Sequence, residues 1–139
     1  ARHALETYLV ANRVDGLPTG LFRYLPLEHS VTCVYPESGI GAEAARACCG
    51  QDFIAASGAA FVWTGVPYRC EWRYPGEAPK LMLLDVGHVA QNLYLACEAL
   101  GLATCAVAAY EQEPLDRLLR VDGDEEFALY LAAVGVRSE

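Results

Sequence analysis

The order of local patterns along the chain predicts an α+β fold, and three observations carry that prediction. Short apolar, β-rich runs with turn residues between them fill the first quarter. Helical patterns then fall between further strand-like runs at irregular intervals. One long apolar helix occupies residues 81–101. No repeat or low-complexity linker interrupts the sequence, and 139 residues make one domain, which buries about two-thirds of its unfolded-chain surface.

Residues 5–14 form a β-rich run stopped by the turn-forming segment 15–20. A hairpin follows, with strands at 21–24 and 31–35 joined through 26–30. The alanine-rich segment 41–50 predicts a helix with a weak continuation over 51–56. Residues 59–66 are a continuous apolar run of strand length, which predicts a central strand buried on both faces. The segment 67–79 reads as irregular and aromatic, with Tyr68, Trp72 and Tyr74 interleaved with Arg69 and Arg73. After the long helix, 103–109 predicts a buried strand or strand-to-loop element and 113–119 a short helix with Pro114 in its first turn. Residues 126–136 predict the last strand.

At 100° per residue, Met82, Val86, Val89, Ala90, Leu93, Ala96, Cys97 and Leu100 form one broad face of the long helix. Asp85, His88, Gln91, Asn92 and Glu98 fall in the opposite half with Leu81, Leu84 and Leu95, and Gly101 stands at the C′ position. Such a helix has little surface to spare for water, so it belongs in a core or between subunits, where its polar groups need partners. Its polar residues argue against a membrane span. With 54% hydrophobic residues, the chain reads as one that covers part of its surface with a second copy.

A net charge of −8 with singly scattered Lys and Arg opposes nucleic-acid binding. Six cysteines without a C-x-x-C pair or a leader predict reduced, mostly buried thiols in the cytoplasm, and vicinal Cys48-Cys49 reads as packing rather than redox chemistry. Three histidines, none spaced with another ligand, predict no zinc or iron site. Gly39-Ile-Gly41 lacks the third glycine of a phosphate loop and reads as a helix-entry turn. The acidic residues between 111 and 126 read as a solvated face.

Four blocks then carry a resemblance: Leu83-Leu-Asp-Val-Gly-His-Val-Ala-Gln-Asn-Leu93, Glu98-Ala-Leu-Gly-Leu-Ala-Thr-Cys105, Leu118-Leu-Arg-Val-Asp-Gly-Asp-Glu-Glu-Phe127 and Tyr130-Leu-Ala-Ala-Val-Gly135. In this order they resemble the C-terminal half of the nitroreductase-like flavoproteins, most of all the SagB-type dehydrogenase branch, some of which oxidise azoline rings in ribosomally made peptides. The likeness extends over residues 5–137. It implies a nitroreductase-like fold, an antiparallel or mixed central sheet flanked by helices, with a long central dimer helix. It also implies a homodimer with FMN at its interface. The activity implied is that of an FMN-dependent oxidoreductase passing hydride between substrate and flavin, with NAD(P)H as candidate reductant. The substrate is left open between an azoline peptide, a nitroaromatic and a quinone.

The resemblance places residues 106–110 under the flavin, with the Ala108 N–H facing N5 and Thr104, Ala106 and Ala109 around it. Alanine stands at 108 and 109 where the family usually has glycine, and at 106 where it often has proline; each alanine adds only a methyl group against the ring. Tyr74 occupies the place of a base that removes a ring proton in azoline-oxidising relatives, and Arg73 the place of their lysine, keeping the charge but not the basicity. Arg137 matches a C-terminal phosphate contact. The family's Arg-Ser-x-Arg-like segment and Pro-Ser-x-Gly loop would precede Leu5, so the domain is expected to lack the family's N-terminal segment, either as part of a longer protein or as a form without FMN. A flavin-free dimerisation or partner-binding module is accordingly the alternative reading. His88, Asp85 and Asn92 read as interface or structural groups.

Overall fold

A computed structural model describes residues 2–137. Its elements are β1 (Leu5–Ala11), β2 (Gly20–Leu25), β3 (Ser30–Pro36), α1 (Ile40–Ala47), α2 (Phe53–Ala56), β4 (Ala59–Gly65), α3 (Tyr68–Glu71), α4 (Ala78–Ala99), β5 (Leu102–Val107), α5 (Gln112–Leu119) and β6 (Phe127–Val136). The strands form one six-stranded sheet in the order β3-β2-β1-β4-β6-β5, and every neighbouring pair is antiparallel. This is the expected α+β architecture.

Period-two alternation decides what each face of the sheet holds. On β4, Ala60 and Val62 join Val10, Leu21 and Leu131 in the larger core beneath α1, α2 and α5, while Phe61 and Trp63 point the other way, toward Val86 and Ala90 of α4. As predicted, β4 is buried along almost its whole length, because β1 and β6 flank it and helices cover both sides. A polar network reinforces the larger core: Glu126 Oε1 accepts from the Tyr8 hydroxyl at 3.0 Å and from Thr64 at 2.5 Å. Asp116, which is buried, accepts from the Ala128 N–H at 2.7 Å and from the Gln112 amide, tying α5 to β6.

Four local expectations are corrected. The helix expected over 41–50 stops at Ala47, where Cys49 and Gly50 both take positive φ and the Gly50 N–H closes onto Ala45 O, and of the continuation over 51–56 only 53–56 is helical, as the separate helix α2. The 67–79 segment holds the short helix α3. β5 is not buried but an edge strand with alternating exposure. The thiols are not mostly buried: Cys48, Cys70 and Cys97 are, whereas Cys33, Cys49 and Cys105 are exposed.

The α4 helix runs for 22 residues, about 33 Å, opening with Pro79 in its first turn and closing before Gly101 at φ 70°. One side packs on the sheet through Met82, Val86, Ala90 and Cys97; Ala96 and Leu100, expected on that side, are exposed. The other side is open. Leu84, His88, Gln91 and Leu95 line up at spacings of four, three and four, with Leu84 53% and Leu95 61% exposed. That is the spacing of a helix seam awaiting another helix. No helix among the described residues is long and apolar enough to cross a membrane.

Candidate functional site

The β5 edge gathers most of the residues singled out above. The Thr104 hydroxyl donates to Ala133 O at 2.9 Å and lies beside the Cys97 thiol, which burial raises. The Ala106 N–H is taken within the chain: it donates to the Tyr94 hydroxyl at 2.9 Å. Beyond β5 the chain leaves the sheet as an exposed irregular segment whose Ala108 and Ala109 N–H groups meet no acceptor among the described residues. Gln51 holds this segment, its amide donating to Ala109 O at 3.0 Å, and Glu111 N–H anchors it to Ala47 O at 2.8 Å. Two N–H groups left without a partner on an exposed segment tethered at Ala109 and Glu111 are candidate donors to an electron-rich atom. Neither Tyr94 nor Gln51 was legible as a contributor, since each acts through a backbone contact across the fold.

Arg137 follows β6 and lines the same small cleft as Thr104. Its guanidinium donates to Leu102 O at 3.3 Å and forms an ion pair with Glu98 of α4. Together with Tyr94 and Cys97 these residues bound a small cleft of about 230 Å³, below the roughly 300–1,000 Å³ of ordinary ligand pockets. One chain therefore supplies a wall rather than a closed site. A larger groove of about 600 Å³ lies on the other side of the same edge, between Phe53, Gly58, Cys105 and Gly135, with Arg13 at its rim.

Tyr74 and Arg73 are elsewhere. They follow α3 and precede α4, and the Arg73 guanidinium carbon lies 5.4 Å from the centre of the Tyr74 ring, over its face. The cation is thus stacked on the ring, not paired with the hydroxyl as expected for a promoted phenolate. Tyr94, which holds Ala106, is sixteen residues past the start of α4, about 24 Å along its axis. Within one chain, Tyr74 and the Thr104–Arg137 cleft lie toward opposite ends of this helix.

His88 Nδ1 is 2.7 Å from Leu84 O of its own helix and exposed. With Asp85 and Asn92 it flanks a cleft shared with His3, Glu6 and Arg69, where Glu6 is bridged by Arg23 at 3.0 Å and Arg69 at 2.6 Å. No group of three metal-ligating side chains occurs among the described residues. Gly39 is the N-cap of α1, and Gly41 packs against Asn12, where a side chain would collide.

An FMN group asks for N–H donors at its ring edge, a small-residue surface against its ring and cations for its phosphate. The Ala106–Ala109 segment fits the first two demands, with two N–H groups that meet no acceptor among the described residues and methyl side chains at 106, 108 and 109, while Val107 is buried in the core. Arg137 is the cation at hand, and Glu98 shares it.

Comparison with known proteins agrees with the fold. The Nitroreductase family model matches residues 3–136. A candidate nitroreductase of Methanocaldococcus jannaschii is 32% identical over the whole chain, which spans 68% of that relative. Among solved structures, a candidate nitroreductase of Anabaena variabilis superposes with a TM-score of 0.89 at 24% identity over 96% of this chain, though the chain spans only 27% of it. The E. coli microcin synthetase McbBCD complex with truncated pro-MccB17 bound gives 0.84 at 16% identity, over 99% of this chain and 53% of the other. The NADPH:FMN oxidoreductase of Vibrio harveyi complexed with NAD+ gives 0.64 at 20% identity, over 76% and 49%. By its family match and its archaeal relative, the chain belongs to the nitroreductase family.

Proposed function

We propose that the chain is the catalytic domain of a cytoplasmic, SagB-type FMN-dependent oxidoreductase whose flavin site is completed by a second copy of the chain. The observation that carries this reading is the division of the candidate residues between the two ends of α4, combined with the open Leu84–His88–Gln91–Leu95 seam between them. A two-fold axis crossing that seam places two α4 helices antiparallel, which brings the Tyr74 segment of one copy toward the β5 edge and Arg137 of the other. The undersized cleft at β5 then gains its missing wall.

In this arrangement Ala108 and Ala109 would hold the flavin edge through their N–H groups, and Arg137 would meet its phosphate once Glu98 yielded part of the pair. When bound, FMN supplies a two-electron carrier able to exchange hydride with substrate or with NAD(P)H. The protein contributes position and exclusion of water. Tyr74 of the facing copy is the group placed to hold or take up a substrate proton, with Arg73 stacked on its ring to fix its orientation. An azoline-containing peptide is the substrate this pair suits best; nitroaromatics and quinones need no such base. Purified protein that quenches FMN fluorescence to saturation and oxidises NADPH in the presence of a quinone is the expected result. A dimer that leaves FMN fluorescence unchanged at micromolar concentrations overturns the reading.

One observation favours the flavin-free alternative. Arg137 is already paired with Glu98 and bonded to Leu102 O, so the cleft's cation is neutralised from within. On that reading the same seam serves dimerisation or partner binding alone, and Glu98→Gln leaves FMN affinity absent rather than raising it.

A further inference from the structure

Away from the β5 edge, three of the chain's ten basic residues converge on one groove. Arg46 comes from the last turn of α1, Arg117 from the last turn of α5 and Arg120 from the cap that ends α5. They stand around a cleft of about 510 Å³ with Tyr35 and Pro114 among its walls. In a chain of net charge −8 this gathering runs against the overall field. Two carboxylates temper it: Glu43 lies 4.0 Å from Arg46, and Glu113 pairs with Arg117. Arg120 meets no carboxylate among the described residues.

The placement of the Arg120 side chain is the second observation, and it begins with the backbone. Its φ of 58° and ψ of 35° are left-handed, the conformation in which helices commonly place glycine because other L residues adopt it at a cost. Cys49 ends α1 at a like φ of 57°, so the conformation by itself assigns no role, and the side chain it carries is what distinguishes Arg120. What the conformation achieves is visible in the side chain. The guanidinium carbon lies 3.9 Å from the centre of the Tyr35 ring, and Tyr35 is itself fixed by its hydroxyl donating to Leu118 O at 2.6 Å. A guanidinium stacked on an aromatic face keeps its planar edge of N–H donors free for an in-plane acceptor, and that fork matches phosphate oxygens.

We propose that Arg46, Arg117 and Arg120 form a binding site for a phosphate group, free or as a phosphate monoester, with Arg120 as the bidentate donor oriented by Tyr35. The site is separate from Arg137 and does not depend on flavin binding.

The test is calorimetric titration of the intact chain with inorganic phosphate and with AMP, against sodium chloride at matched ionic strength, for the unaltered protein and Arg120→Gly. Saturable binding of phosphate is expected, weakened about tenfold or more in Arg120→Gly. Glycine suits the left-handed position, so the melting temperature of that variant without phosphate stays equal or rises, separating a lost site from a lost fold. Arg46→Gln with Arg117→Gln is expected to weaken binding as well. Tighter binding of AMP than of phosphate identifies a nucleotide-type ester as the ligand, and equal binding identifies the phosphate alone. An equal response to chloride, or an Arg120→Gly variant that keeps its affinity, overturns the proposal.

Discussion

Replacing Leu84 and Leu95 by serine tests the α4 seam. These side chains are 53% and 61% exposed in the single chain, so roughly half of each remains to be covered by a second copy. Full burial of a leucine is worth about 2 kcal/mol, so half-burial contributes about 1 kcal/mol, and two leucines on each of two copies contribute about 4 kcal/mol. At about 1.4 kcal/mol per tenfold, Leu84→Ser with Leu95→Ser raises the dimer dissociation constant roughly a thousandfold, less whatever the interface loses to imperfect packing. Neither side chain belongs to the buried cores, so the monomer's circular dichroism and cooperative unfolding stay as they were. Sedimentation equilibrium measures the effect. Unaltered protein that is monomeric at about 100 μM, or a double variant whose dissociation constant moves by less than about threefold, refutes the reasoning.

Three further outcomes follow from the described contacts. Asp116→Ala strands the buried Ala128 N–H, while the exposed Gln112 amide keeps its bond to Ala128 O, and is expected to lower unfolding free energy by about 1–3 kcal/mol in urea, whereas a loss below about 0.5 kcal/mol contradicts the role of Asp116. Burial, helped by neighbouring Cys49, pushes the Cys48 thiol up to about 11. The folded state thus favours the neutral thiol, so this contribution is intact below about pH 9 and is lost as pH rises from about 9 to 11, on the order of 2 kcal/mol. Cys48→Ala should flatten that part of the stability profile, and an unchanged alkaline slope would sink the assignment. Thiol titration at pH 8 should label Cys33, Cys49 and Cys105 quickly in the native protein and all six cysteines in denaturant; rapid native labelling of Cys48 contradicts the burial pattern.

What the sequence revealed and what it hid have physical reasons. The α4 helix and β4 strand were legible because a long helix and a doubly covered strand impose patterns over many residues. The end of α1 was not, because Cys49 adopts a positive φ that its residue type does not announce. β5 was misjudged as buried because an apolar run does not tell a central strand from an edge one. At the candidate site, the Ala106–Ala109 segment could be placed by its resemblance, but the demands already met within the chain, Tyr94 on Ala106 and Glu98 on Arg137, arise from residues brought together only by the packing of α4 on β5. The groove of Arg46, Arg117 and Arg120 was hidden for the same reason: Arg117 and Arg120 close α5, but Arg46 comes from α1 and meets them only through the packing of the two helices.

The most direct test of a flavin site shared between copies is FMN fluorescence titration of the unaltered protein beside Leu84→Ser/Leu95→Ser, each at a concentration where its oligomeric state has been measured. The shared site predicts saturable quenching at one FMN per chain in the dimer and its loss in the folded monomeric variant. Equal binding by the monomer would place the flavin within a single chain, and no binding by the dimer would leave the flavin-free module; either result contradicts the account.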